Sequence, residues 1–288
     1  MKLITFIIGE NTSWGAVTEQ GVIDLGSRCP QWAGVSDFLA AGATALGEAA
    51  QLLLREPADY ALDDVSLCLP VPAPGKIFCI GVNYAQRNAE YRDGSDLPQY
   101  PSIFMRVPDS FTAPGQALLQ PLESTQLDYE GEIAIVIGKG GRRIPRETAL
   151  EHIGGLTCAN EGTIRDWVHH AKFNVTQGKN FHHSGSFGPW IASADEFPEG
   201  YANLRVQTRV NGEIRQDDTT TRLMFDFAYI IHYLSTFTTL QPGDVILTGT
   251  PTGAGIRFDP PRFLQPGDTV EVEVSSVGVL RNRVEQEG

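Results

Sequence analysis

Two glutamates one residue apart open an apolar run in Asp128-Tyr129-Glu130-Gly131-Glu132-Ile133-Ala134-Ile135-Val136-Ile137. Side chains alternate faces along a strand, so Glu130, Glu132, Ala134 and Val136 share one face and Ile133, Ile135 and Ile137 fill the other. Both faces turn apolar within two residues, which predicts a strand buried on both sides. The carboxylates then point the same way, with Cα atoms roughly 7 Å apart, into a place with little water. That spacing lets both reach one ion and works against both being charged without one. Unpaired buried charge is costly, so the pattern predicts a cation, and carboxylate oxygens suit a hard one such as Mg²⁺ or Mn²⁺. A bare Glu-x-Glu is more often a solvated pair on a sheet edge. The apolar continuation argues for the buried reading.

Glu161 is the best third ligand, because it stands where the apolar run 156–159 ends and a polar stretch begins. Arg165 and Lys179 follow shortly after. Mg²⁺ keeps positions for water or substrate, so a chelating 2-oxo acid would replace two waters. Arg165 and Lys179 are then placed to hold the substrate carboxylate or to stabilise a developing enolate. Taken singly, each is more often a surface residue. Thr248-Gly249-Thr250-Pro251-Thr252-Gly253 is a Gly-rich turn after a strand, and it offers hydroxyls and backbone N–H groups to a carboxylate.

These residues need a large frame. The 288 residues, 41% apolar and 20% charged, allow one large domain, or a main domain with a smaller partner, around a substantial core. The net charge of −13 argues against nucleic acid or an anionic membrane as a partner, but not against an anionic substrate held by local cations. Cys29, Cys68, Cys79 and Cys158 are scattered without C-x-x-C spacing and read as reduced. Residues 3–8 form a short apolar run without a cleavage site, a first strand and not a signal peptide. No run approaches membrane-spanning length, and the expected setting is cytoplasmic.

Residues 1–70 read as a small α/β module: strands at 3–8, 13–17 and 21–24, then a helix at about 43–55. The Pro-rich stretch 69–75 marks a boundary, with the catalytic domain expected over 71–288. Beyond the strand 76–82, residues 83–99 have a lid-like polar composition, and the strand 102–105 ends at Arg106. Asn211-Gly212 predicts a hairpin, and apolar spacing predicts a helix over 222–236. Leu240-Gln-Pro-Gly-Asp244 and Leu264-Gln-Pro-Gly-Asp268 each feed a strand, suggesting a C-terminal third that folds back on itself as a rolled sheet.

The Glu-x-Glu strand, Asn160-Glu161-x-Thr163-x-Arg165-Asp166, Gly178-Lys179-Asn180-Phe181, Gly188-Pro189-Trp190, Val210-Asn-Gly-Glu213 and residues 240–251 together resemble the fumarylacetoacetate hydrolase family. The resemblance implies an α+β, β-rich fold, a mixed β-sandwich roll, a homodimer and an Mg²⁺ or Mn²⁺ site. It also implies 2-oxo acid or acylpyruvate substrates. It places Glu130, Glu132 and Glu161 on the metal ligands, with Glu161 where an Asp is usual. Arg165, Lys179 and Thr250 fall on substrate-holding positions. Tyr84, Arg87, Arg106, Gly249 and His182 complete the candidate substrate contacts.

The sequence departs from the family's pattern in the lid, where Asn83-Tyr84-Ala85-Gln86-Arg87-Asn88-Ala89-Glu90 has Arg87 in place of a histidine. An arginine is no general base near neutral pH. Glu90 then either takes a proton from water or pairs with Arg87, with His182 and His183 as substitute bases. Arg87 is alternatively the holder of a distal carboxylate. A Gln often found three residues beyond the loop arginine is here Val168. The leading expectation is hydrolysis of an acylpyruvate such as maleylpyruvate or fumarylpyruvate, with Glu90, Lys179 and Arg165 as catalytic residues. The alternative is decarboxylation or keto–enol tautomerisation of a 2-oxo dicarboxylate such as oxaloacetate, which needs no attacking water. A silent member that only binds metal and oxo acid ranks last.

Overall fold

The computed structural model describes residues 1–89, 96–171 and 174–288. Among them, the Gly131–Ile137 strand is buried at every position and lies within an eleven-stranded sheet. Its neighbours are Ile153–Asn160 and Val245–Leu247, both antiparallel to it. The sheet continues on one side through Gly185–Ser193, Lys2–Ile8, Asn11–Thr18 and Gly21–Asp24, and on the other through Ile77–Gly81 to Ser102–Met105. A five-stranded sheet runs Glu213–Thr219, Arg205–Val210, Thr269–Val274, Gly278–Gln286 and Leu118–Gln120.

The alternation expected of the central strand sorts two cores. Ile133, Ile135 and Ile137 pack with Val206, Val272 and Leu280 of the five-stranded sheet and with Ile230, Ile231 and Leu234 of the helix Phe227–Phe237. Ala134 and Val136 pack on the other side with Ile191, Val245 and Leu247 and with Trp14, Phe38 and Leu39. The result is a β-rich α+β sandwich whose middle strand touches both cores. The sheets approach closely at Gly131, where a Cβ would lie 1.9 Å from Thr208 Oγ1.

Three features differ from expectation. Residues 1–70 share a sheet and a core with the rest, because Leu3 pairs with Ile191 and Trp14 packs in the core that holds Val136. The change of composition near residue 70 is therefore crossed by both hydrogen bonds and packing. The two Pro-Gly turns use the same bond, with Asp244 Oδ2 accepting from Gln241 N and Asp268 Oδ2 from Gln265 N, each at 2.8 Å. Their strands, however, go to different sheets: Val245–Leu247 lies parallel to Ile77–Gly81, and Thr269–Val274 joins the five-stranded sheet. The helix starts later than residue 222 because Asp226 caps it, accepting from Tyr229 N at 2.7 Å. The Asn211-Gly212 hairpin is as expected, with strands Arg205–Val210 and Glu213–Thr219 paired across it. Among the described residues no helix is long and apolar enough to cross a membrane.

Asn83, fully buried just beyond the Ile77–Gly81 strand, joins three segments. Its Nδ2 donates to Phe225 O at 3.0 Å and Thr248 O at 2.8 Å, and its Oδ1 accepts from Phe225 N at 2.8 Å. Asn83→Ala leaves three buried backbone groups unpaired, and we expect a loss of about 3 kcal/mol in urea unfolding. A loss under about 1 kcal/mol, the worth of one ordinary hydrogen bond, would contradict this.

Candidate active site

The site forms where two strands part. Gly131–Ile137 and Val245–Leu247 are paired from Val136↔Val245 to Ala134↔Leu247. A last backbone bond runs from Thr248 N to Ile133 O at 3.1 Å, and the chain then peels away through Gly249 and Thr250. Side chains take over from the ladder. Thr248 Oγ1 donates to Ile133 O at 2.8 Å and Thr250 Oγ1 to Gly131 O at 2.9 Å. Gln216, from the five-stranded sheet, accepts from Gly131 N at 2.9 Å and donates to Thr250 Oγ1 at 2.8 Å and Pro251 O at 2.9 Å. The departing loop turns the Gly249 N–H onto Glu132 Oε2 at 2.7 Å. That turn needs glycine: φ is +106°, and a Cβ would lie 2.7 Å from Asn83 Cβ.

On the other flank, Asn160 pairs with Gly131 and its Oδ1 accepts from Glu130 N at 3.0 Å. Glu161 N donates to Glu130 O at 2.8 Å, which sets the third glutamate beside the first. Glu130, Glu132 and Glu161 are all buried, and each offers a carboxylate oxygen within 4.8 Å of the others.

Cations converge on this group unevenly. Glu130 accepts from Lys179 Nζ at 2.6 Å through Oε2, and from Arg165 Nη2 at 2.7 Å and Arg87 Nη2 at 3.1 Å through Oε1. Burial works against its charge, yet Arg165, Lys179 and Arg87 outweigh burial and hold its pKa well below the usual carboxylate range. Glu132 goes the other way: burial, then the charges of Glu161 and Glu130, push it well above that range. Glu161 Oε2 accepts from Lys179 Nζ at 3.1 Å, while its Oε1 is buried with no hydrogen-bond partner. An orphaned carboxylate oxygen beside a carboxylate that burial disfavours as an anion is what a missing cation would leave. Three oxygen donors suit a hard divalent ion. The residues fit such an ion.

A cavity of about 900 Å³ opens onto the triad. Arg87, Arg106, Arg165, Lys179 and Thr250 line it with the three glutamates, and Ile103, Phe104, Val168 and Val175 form an apolar wall. Lys179 lies over the Phe104 ring, 5.2 Å from its centroid. Arg106 is at the wall but committed to the protein. Its Nε donates to Ser110 Oγ at 3.1 Å, its Nη1 to Gly162 O at 2.9 Å and its Nη2 to Ser184 Oγ at 2.8 Å. Thr250 likewise spends its hydroxyl on Gly131 and Gln216. Gly249 serves a ligand, Glu132.

Two expected substrate contacts lie elsewhere. Tyr84 is buried, bridged through its backbone to Leu223, and His182 is exposed and stacked on His183 with ring centroids 3.7 Å apart. Neither lines the cavity, and His183 lines a different cleft, so neither histidine is placed to replace a base. Glu90 lies outside the described residues.

Sequence reasoning passed over Asp128, Gln216 and Asn160. Asp128 is fully buried and receives Arg165 Nε at 2.7 Å. Its signal was available, as a charge at the mouth of a run predicted to be buried. Gln216 carried none, since it comes from another sheet.

Titration with Mn²⁺ or Mg²⁺ is expected to raise the unfolding temperature, with about 2.7 kcal/mol of stability added at a free-ion concentration a hundred times Kd. Glu161→Gln should remove most of that gain. Calorimetry showing no binding of either ion to the wild type would count against the site.

Residues 76–285 match the family described as Fumarylacetoacetate (FAA) hydrolase C-terminal. Oxaloacetate tautomerase YisK of Bacillus subtilis is 40% identical over 228 residues, covering 78% of this chain and 75% of that protein. The mitochondrial oxaloacetate tautomerase Fahd2a of Rattus norvegicus is 35% identical over 265 residues, covering 92% of this chain and 84% of that one. The crystal structure of maleylpyruvate hydrolase from Sphingobium sp. SYK-6, in complex with manganese(II) ion and pyruvate, aligns over 100% of both chains with a TM-score of 0.82 and 27% identity. The peeled strand, the buried carboxylates and these alignments lead to one conclusion: the chain belongs to the fumarylacetoacetate hydrolase family of enzymes.

Proposed function

We propose that this enzyme interconverts the keto and enol forms of a 2-oxo dicarboxylate of the oxaloacetate type, with Mg²⁺ or Mn²⁺ held by Glu130, Glu132 and Glu161. When bound, the ion would act as a Lewis acid on the 2-oxo group. The remaining work falls to side chains. The reaction moves one proton: a base takes the C3 proton, the C3–H electrons form the enolate double bond as the carbonyl π pair passes to the oxygen, and the oxygen is then protonated to give the enol. Lys179 and Arg165 bring positive charge to the cavity where the enolate's negative charge would develop, in a buried setting that strengthens the attraction. Burial lowers the Lys179 pKa, and Glu130 and Glu161 more than reverse this, so its ammonium stays charged. The apolar wall of Ile103, Phe104 and Val168 limits water around the enolate.

The observation that carries this choice over acylpyruvate hydrolysis is Arg87. In the helix Ala85–Ala89 it turns a guanidinium onto Glu130, 3.1 Å from Oε1. A hydrolase needs a base there to activate an attacking water; keto–enol exchange uses no attacking water, and the base that takes its C3 proton need not stand at that position. The tautomerases at 40% and 35% identity support the same reading. Hydrolysis of an acylpyruvate is the second reading, favoured by the likeness to maleylpyruvate hydrolase and by a cavity roomier than a four-carbon acid needs.

The test follows the decay of enol-oxaloacetate absorbance with Mg²⁺ or Mn²⁺. We expect equilibration at least a hundredfold faster than without enzyme, and a loss of about two orders of magnitude in Glu130→Gln and Lys179→Met. Release of pyruvate from maleylpyruvate, with no effect on oxaloacetate, would overturn the proposal in favour of hydrolysis.

A further inference from the structure

We propose that Asp128 is a positioning residue that keeps Arg165 from closing both arms on Glu130 and so preserves the ion-binding capacity of the triad. This rests on reading Glu130, Glu132 and Glu161 as ion ligands, not on which 2-oxo acid is turned over. Asp128 is fully buried, and its carboxylate is saturated. Oδ1 accepts from Tyr129 N at 2.9 Å and Gly255 N at 2.8 Å; Oδ2 accepts from Ile256 N at 3.0 Å and Arg165 Nε at 2.7 Å. Three of these donors are backbone and cannot leave. The fourth is the one mobile group, and it is therefore held in a fixed frame.

The consequence falls on Glu130. Arginine and carboxylate favour two parallel bonds. Here the fork is split: Nε goes to Asp128 and only Nη2 reaches Glu130, on Oε1 at 2.7 Å. Glu130 Oε2 is left to Lys179 Nζ at 2.6 Å and to whatever ion the triad takes. Without the Asp128 acceptor, Arg165 has every reason to turn both N–H groups onto Glu130 and cover the second oxygen. The loop that supplies Gly255 and Ile256 also supplies Gly249 to Glu132, so one loop sets the partners of Asp128 and of a ligand.

The test is Mn²⁺ affinity by calorimetry in the wild type, Asp128→Asn, Arg165→Ala and the double variant. In Asp128→Asn, an NH₂ group must face two donors, and Arg165 is the one free to move. Affinity should fall about 10- to 100-fold, as for other residues behind a metal ligand. Arg165→Ala alone should bind Mn²⁺ as tightly as the wild type or more so, and the double variant should match Arg165→Ala within about threefold. A purely structural Asp128 would weaken binding equally in both backgrounds, which would overturn the proposal. If Asp128→Asn does not fold, Arg165→Ala decides: a tenfold or greater loss there also overturns it. A wild type that binds no Mn²⁺ removes the ion-site reading itself, and the proposal with it.

Discussion

Four carboxylates, Asp128, Glu130, Glu132 and Glu161, are buried around the start of the Gly131–Ile137 strand, with Arg87, Arg106 and Lys179 buried among them and Arg165 partly exposed beside them. Removing an ion from water costs several kcal/mol even after relaxation, and attraction offsets this only where hydrogen bonds satisfy every remaining lone pair and proton. Much of the surrounding architecture answers that requirement. Asp128 takes backbone N–H groups from a loop, Glu132 takes one from the same loop, and Arg106 gives its protons to Ser110, Gly162 and Ser184. What is left over, the Glu161 Oε1 atom and the disfavoured charge on Glu132, defines the place of the ligand.

The two sheets divide the labour. Glu132 lies in the large sheet, and Glu130 and Glu161 stand just beyond the ends of its two adjacent antiparallel strands. The bond from Glu161 N to Glu130 O ties them together, so their separation is set largely by ladder geometry. The second sheet touches the first at Gly131 and reaches into the gap left by the departing strand with Gln216. A rigid strand pair thus holds the acids, and the peeled segment, whose backbone is no longer committed to the ladder, has N–H groups to give them.

Much of this was legible in the chain. Glu130 and Glu132 on one face and Ile133, Ile135 and Ile137 on the other follow from period-two alternation, and the structure sorts them into that pattern. Glu161, Lys179 and Arg165 stand where polar stretches follow buried ones, and the fold brings them together. Contacts made across sheets were not legible. Nothing in Glu-Ile-Arg-Gln-Asp-Asp around Gln216 announces that one side chain will bond another sheet. His182 looked suitable because it is near Lys179 in sequence, but the turn after Lys179 sends it to the surface. The shared core across residue 70 was hidden for a similar reason: Pro-rich composition reports on the local chain and not on which strand will pair with Ile191.

Gln216 also bears on how this architecture can diverge. Its one amide group serves the backbone of the glutamate strand and of the loop that carries Thr250 and Pro251, while its own strand belongs to the opposite sheet. The sheets are therefore not interchangeable parts. A recombinant whose five-stranded sheet lacked a glutamine at this contact would leave Gly131 N and Pro251 O without their side-chain hydrogen-bond partner. Changes of specificity that keep both sheets are open at the cavity's apolar wall, where Ile103, Val168 and Val175 face the cavity and make none of the hydrogen bonds that hold the buried charges.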